Sequence, residues 1–238
     1  MSALAGLTVA VVGASSGIGL AVSELAARRG ASVVMLSRSE QRLEQAKLRV
    51  HGSARAVAMD MLDAVAVGEA IGSLTAIDHL VLTAVADELG SRAPIREITN
   101  AQVERTFDKL RGFVNVTRAA VPRLSPRGSI TLVTGASAVK PPPDGFSVLA
   151  AASGSLLSFG KALALELAPI RVNVLMSGVV DTPIHAGRSE QMRAWAEQTL
   201  PARRFGSPED IAGAIELLMT NPYITASTLS VDGGFTAI

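Results

Sequence analysis

The apolar run Val9-Ala10-Val11-Val12 leads straight into Gly13-Ala14-Ser15-Ser16-Gly17-Ile18-Gly19. A strand that turns through glycines and small hydroxyl residues into a helix aims unpaired backbone N–H groups at a pyrophosphate. Glycine-rich turns are common, so the spacing alone says little. The turn here sits inside a strand–helix–strand unit, and that context makes it a dinucleotide site. The second strand ends in Ser37-Arg38, where an enzyme preferring NAD carries an acid for the ribose 2′-hydroxyl. The Arg38 guanidinium suits a 2′-phosphate instead, a charge-assisted contact of roughly 1.5–3 kcal/mol. The expected cofactor is therefore NADP(H); a solvated surface arginine is the competing reading of Arg38.

Short β-branched runs alternate with longer segments of helical period, the pattern of a parallel sheet covered by helices on both faces. The strand candidates are Leu7–Val12, Ser32–Ser37, Ala54–Met59, His79–Thr83, Ser129–Thr134, Ile170–Leu175 and Thr228–Val231. A first helix is expected from Gly17 to Arg29, with Arg28 and Arg29 at the negative end of its dipole and Gly30 as its stop. Thr99 and Gln102 form a capping box for a helix from Asn100 to Leu124, whose core stripe is Val103, Phe107, Leu110 and Val114. Ser207 caps another helix, with Pro208 in the first helical position and Glu209 and Asp210 in the first turn. The run Pro141-Pro142-Pro143 stiffens a connecting loop.

These elements make one domain, residues 1–238, with no linker or shift in composition. Hydrophobic residues are 48% of the chain and charged residues 18%, a globular composition. A net charge of +1 and 3% aromatic residues leave neither an electrostatic footprint nor a stacking platform for nucleic acid. There is no cysteine, and His51, His79 and His185 are too scattered for a metal site. The opening Met1-Ser2-Ala3-Leu4 has no basic region or long apolar stretch of a signal sequence, and no run approaches the length of a transmembrane helix. The expected location is the cytoplasm.

Over essentially its whole length the chain resembles the short-chain dehydrogenase/reductase family. Gly13, Ser15, Ser16, Gly17, Ile18 and Gly19 match that family's cofactor loop, with Val12 in place of the usual threonine. Asp60-Met61 resembles the pair that contacts adenine, and Thr83-Ala84 falls in the segment that follows the fourth strand beside the nucleotide. Ser177-Gly178-Val179-Val180-Asp181-Thr182-Pro183 resembles the segment holding the nicotinamide carboxamide, which assigns Gly178, Val180 and Thr182 to the cofactor. Arg204 to Ala212 and Val231-Asp232-Gly233-Gly234 match the C-terminal pattern.

The resemblance fails at the catalytic positions. The helix tail Ser158 to Leu167 sets an alignment that puts Leu149 where the family has its tyrosine and Ser153 where it has its lysine. The family serine falls on Gly135 and the asparagine on Lys109. No shift restores them, because the only tyrosine, Tyr223, has no lysine after it, and the lysines are Lys47, Lys109, Lys140 and Lys161. Loss of such a proton donor forfeits about 10²–10⁴ in rate, roughly 3–5 kcal/mol of barrier. The replacement candidates are Lys109, as a buried ammonium of lowered pKa, and the hydroxyls of Ser137 and Ser153. Each has a plainer reading: Lys109 reaching solvent or a subunit contact, Ser137 a turn former, Ser153 a hydroxyl with no charge to offer. Lys140 and Asp144 are expected to be solvated and His185 to lie on the surface of a substrate flap at about 182–205. Leu82-Thr83-Ala84-Val85 replaces the family's Asn-Asn-Ala-Gly; Leu82 and Val85 are read as core filling, with weakened cofactor binding as the alternative.

The expected fold is thus a doubly wound (Rossmann) α/β domain with a seven-stranded parallel sheet. The expected function is an NADP(H)-dependent oxidoreductase on a small carbonyl or alcohol, working with a non-standard site. The alternative is a catalytically silent, cofactor-binding homologue that serves as scaffold, regulator or partner subunit. Family resemblance implies a homotetramer or homodimer, for which the small residues Ala150 to Ser155 allow close helix approach.

Overall fold

The computed structural model describes residues 3–86 and 89–238, so Met1 and Ser2 of the opening lie outside the described residues. In chain order the elements are β1 (Thr8–Val12), α1 (Gly17–Arg28), β2 (Ser32–Ser37), α2 (Glu40–Lys47), β3 (Ala54–Ala58), α3 (Ala64–Gly72) and β4 (Ile77–Leu82). There follow α4 (Asn100–Thr106), α5 (Asp108–Ala120), β5 (Leu124–Gly135), α6 (Ser147–Glu166), β6 (Arg171–Ser177), α7 (Ser189–Thr199), α8 (Pro208–Thr220) and β7 (Thr228–Val231). The strands form one seven-stranded sheet in the order β3-β2-β1-β4-β5-β6-β7, and every pairing is parallel. The seven strands are those expected, with ends shifted by a few residues at most positions and by five at the start of β5.

Because successive strand residues face opposite ways, one strand feeds two cores. Val9 and Val11 of β1 pack with Leu20, Ala26, Ile211 and Ile215 of α1 and α8. Ala10 and Val12 pack on the other face with Phe113 and Val116 of α5 and Leu156 of α6. Both faces are therefore dry, which is why the strands read as continuous apolar runs. Strand order reverses between β1 and β4, and in such sheets the crevice beyond the carboxyl ends at that point takes the ligand.

Three expectations need correction. The helix from Asn100 is two helices: Phe107 closes α4 with its N–H on Glu104 O, and α5 starts at Asp108. The break rotates the second half, so Thr106, Phe113, Val116, Thr117 and Ala120 are buried, while Val103, Phe107 and Leu110 are only half-buried and Val114 is exposed. The Thr99–Gln102 box is present, as is a Ser207–Asp210 box on α8, where the Arg204 guanidinium holds the Asp210 carboxyl well below its usual range. Lastly, α6 is long and apolar enough to cross a membrane by length and composition. Its buried Leu149, Ala152, Leu156, Gly160, Leu163 and Ala164 serve the sheet instead, and a Cβ on Gly160 would stand 2.4 Å from Val174 Cγ2.

Strand register lines up His79, Ser129 and Arg171 across β4, β5 and β6. His79 Nδ1 lies 2.9 Å from Ser129 Oγ, and the buried Arg171 guanidinium donates to the Leu218 and Met219 carbonyls at the end of α8 and to the Ile224 carbonyl beyond it. Burial first, then the charge of Arg171, pushes His79 down to about 4 against a smaller opposing pull from Asp78. Between pH 4 and 6.5 the unfolded chain therefore binds the extra proton, so stability rises with pH across that window. Denaturant titrations should show the wild type losing roughly 3 kcal/mol from pH 7 to pH 4 through this group, with a smaller loss in His79→Gln.

Candidate active site

The carboxyl ends of the strands open onto a single long cleft of about 1050 Å³, at the upper end of the size that ligand pockets reach. Directly after β1 comes Gly13, whose φ is +95°, and a Cβ there would lie 2.7 Å from Ala84 N and from Thr83 Oγ1. A Cβ on Gly19 would lie 2.3 Å from Gly13 O. Two backbones thus cross where no side chain fits. Thr83 locks the crossing, its N–H and hydroxyl both bonded to Val12 O at 2.9 Å.

The first turn of α1 faces this cleft. Ser16 is its cap residue in extended conformation but makes no side-chain cap bond, whereas Ser39, Asp63, Thr99 and Ser207 cap α2, α3, α4 and α8. N–H groups of an uncapped helix start, with the positive end of its dipole, are an anion site. The donors and the glycine crossing fit a dinucleotide pyrophosphate. Thr182 and Pro183 close over this point, Thr182 Cγ2 standing 3.2 Å from where a Cβ on Gly17 would be.

Toward one end, Ser15 and Ser37 hydroxyls lie 3.1 Å apart and tie the glycine turn to β2. Arg38 and Asp60-Met61 line the cleft there, the Asp60 carboxylate accepting from Leu62 N–H. Arg42 lines it too, and the sequence reading passed over it. The signal existed: Ser39 accepts from Arg42 N–H, so the cap itself puts Arg42 in the first turn of α2. A cation at that end of a helix opposes the dipole unless an anion joins it.

Toward the other end lie Lys109, Gly135, Ser137, Leu149, Ser153, Gly178 and Val180, all on the cleft wall. Gly178 is pinned by its N–H to Val231 O, and a Cβ on it would meet Asp232 Cα at 2.5 Å. Ser137 Oγ donates to Ser153 Oγ at 3.3 Å, while Thr134 Oγ1 donates to Ser153 O at 3.0 Å, so the two candidate serines are brought together. Lys109 Nζ stands 5.7 Å from the centre of the Phe113 ring, half-buried on the same wall. Leu149 is 4% exposed and fills its position with hydrocarbon. Tyr223 is 97% exposed and does not line the cleft.

Other residues depart from expectation. Lys140 is half-buried rather than solvated, its ammonium bonded to Phe235 O at 3.0 Å and 5.0 Å from that ring's centre. His185 is half-buried against Phe205, and burial, then the charge of Arg188, lowers its pKa despite Asp181. Both line the cleft. Leu82 is core, as read, but Val85 is 44% exposed on the cleft wall, because the chain leaves the sheet after Leu82. Segment 182–205 holds the short turn Pro183–His185 and α7, with its own apolar cluster of Ala196, Leu200, Phe205, Met192, Trp195 and Phe235.

A family model described as enoyl-(acyl carrier protein) reductase matches residues 13–236. The chain is 32% identical to dehydrogenase/reductase SDR family member 4 of Homo sapiens, over 97% of this chain and 88% of that protein. It is 31% identical to L-xylulose reductase of Bos taurus, with 98% of each covered. The chain belongs to the short-chain dehydrogenase/reductase family. A solved structure titled short chain dehydrogenase/reductase family protein superposes with a TM-score of 0.88 at 34% identity, covering 100% of both chains. Membership makes the coarse assignment an oxidoreductase of this family, whose cofactor is a nicotinamide dinucleotide.

The crossing of backbones sets a direct test of the cofactor site. Gly13→Ala adds a methyl group at positive φ into contact with Ala84, a strain of about 1–3 kcal/mol. Calorimetry should show dinucleotide binding weakened by about tenfold or more, with a lowered melting temperature.

Proposed function

We propose that the protein is an NADP(H)-dependent oxidoreductase acting on a small carbonyl or alcohol through a site that has replaced the family's proton donor. The observation that carries this reading is the one continuous cleft running from Arg38 and Arg42, past the uncapped start of α1, to the Ser137–Ser153 pair. Two guanidiniums at the β2 end favour a 2′-phosphate over a bare ribose, and no carboxylate replaces Ser37 there.

When bound, the cofactor supplies hydride exchange with the substrate carbon. In the direction of reduction the carbonyl oxygen then gains negative charge and one proton completes the alcohol. Ser137 and Ser153 hold that oxygen by hydrogen bonds, and their mutual bond with the Thr134 tether fixes their direction. The Lys109 ammonium gives up the proton and is recharged from solvent. A second reading, the silent cofactor-binding homologue, draws on Leu149, whose buried hydrocarbon stands where the family places its acid.

Two measurements test the proposal. Arg38→Ala should weaken NADPH binding by about 10- to 150-fold and leave NADH binding nearly unchanged; equal losses for both would remove the 2′-phosphate assignment. Lys109→Met keeps the aliphatic stem, so melting temperature and NADPH affinity should hold while turnover drops by about 10²-fold. Unchanged turnover eliminates Lys109 as the acid, and no turnover by the parent across aldehydes, ketones and alcohols selects the silent homologue.

A further inference from the structure

The loop after the Ser137 turn carries a cation at each end of its span along the cleft. Lys140 stands at its start, and at its finish Phe146 supports the Arg92 guanidinium, 4.7 Å above the ring centre. Between them Pro142 lines the same cleft, and Pro141-Pro142-Pro143 holds the two ends apart as a stiff spacer. Neither Lys140 nor Arg92 forms an ion pair with a described carboxylate. Asp144 of that loop is exposed and lines an outer groove together with Arg92, not the main cleft.

Among the described residues that line the cleft, the sole carboxylate is Asp60, at the end carrying Arg38 and Arg42. The net charge of the whole chain is only +1, so cations gathered at the substrate end reflect local placement and not a basic protein. The Lys140 ammonium has three donors, one of which goes to Phe235 O and its ring takes part of the charge. Among the described residues no carboxylate pairs with that half-buried charge. Withdrawing a cation from water costs free energy that an anion in the cleft would return.

We infer that the substrate is itself an anion, a carbonyl or hydroxy compound bearing a carboxylate or phosphate that Lys140 receives. This rests on the oxidoreductase reading and narrows it: the anionic group is held at the proline loop while the reacting oxygen is held at Ser137 and Ser153. Lys140 is a specificity-determining residue in this scheme, because its charge acts on the part of the substrate that does not react. A neutral analogue loses the ionic contact and leaves the ammonium unpaired, so the penalty falls on binding and on kcat/KM together.

Matched pairs test it: acetoacetate with its methyl ester, levulinate with its methyl ester, and dihydroxyacetone phosphate with dihydroxyacetone, each assayed with NADPH. The anionic member of at least one pair should show kcat/KM about tenfold or more above its neutral partner; the first two pairs report a carboxylate and the third a phosphate. Lys140→Met should bring that ratio close to one and Lys140→Arg should retain most of it, with NADPH affinity unaltered in both. Neutral members turned over as well as anionic ones by the wild type would overturn the inference whatever the variants do. If no pair is turned over, calorimetric titration of the NADP⁺ complex with the same six compounds decides the anion question, while the oxidoreductase reading is judged by the broader panel of aldehydes, ketones and alcohols. Tighter binding of the anions that Lys140→Met abolishes would sustain it; equal or absent binding of both members would end it.

Discussion

The rest of the site depends on one close approach, that of the turn after β1 to the chain leaving β4. Gly13 and Gly19 lie so near neighbouring backbone that a single methyl group would collide, and this nearness lets α1 begin directly beneath the strand ends. Had either position carried a side chain, the helix start would be pushed outward and its N–H groups would no longer meet at one point. The switch in strand order provides the crevice, but the crossing decides how deep a phosphate can sit. Thr83 reinforces it with two bonds to one carbonyl, so the end of β4 and the glycine turn behave as one rigid piece.

Much of this could be read in the sequence because the relevant forces are local. β-Branched runs buried on both faces mark the strands, and caps such as Ser207 with Asp210 mark helix starts through bonds made within four residues. What escaped depends on distant parts of the chain. Lys140 is drawn inward by Phe235, which comes 95 residues later, and nothing near the lysine announces it. His185 is dried by Phe205, across the flap. The break at Phe107 was missed for a different reason: the apolar spacing Val103, Phe107, Leu110, Val114 fits one continuous helix, yet packing selects the stripe through Phe113, Val116 and Ala120, and α5 turns to meet it.

The cofactor half and the catalytic half of the cleft follow different physical rules. The first is made of backbone, so its sequence requirement is chiefly an absence of side chains, and it is retained at Gly13, Gly17, Gly19 and Gly178. The second is made of side chains carried on the same frame. Residues 149 and 153 remain one helical turn apart on α6, facing the cleft, although one is now hydrocarbon and the other a hydroxyl. The packing of α6 on the sheet runs through Leu156, Gly160 and Leu163, apart from the residues that face the cleft.

Electrostatics then limits what the altered half can do. A tyrosine held by a lysine is a proton donor tuned by its neighbour; a pair of serines is not, since neither hydroxyl releases a proton near neutral pH. Any proton must come from a cation on the wall or from solvent admitted through it. The cations present are placed on two sides of the serines, Lys109 on α5 and Lys140 on the loop beyond Ser137, and the two are held differently. Lys140 is spoken for by a carbonyl and a ring, contacts that fix its position, which suits holding an anion. Under the proposed function, proton delivery and anion recognition would divide between two lysines on this frame.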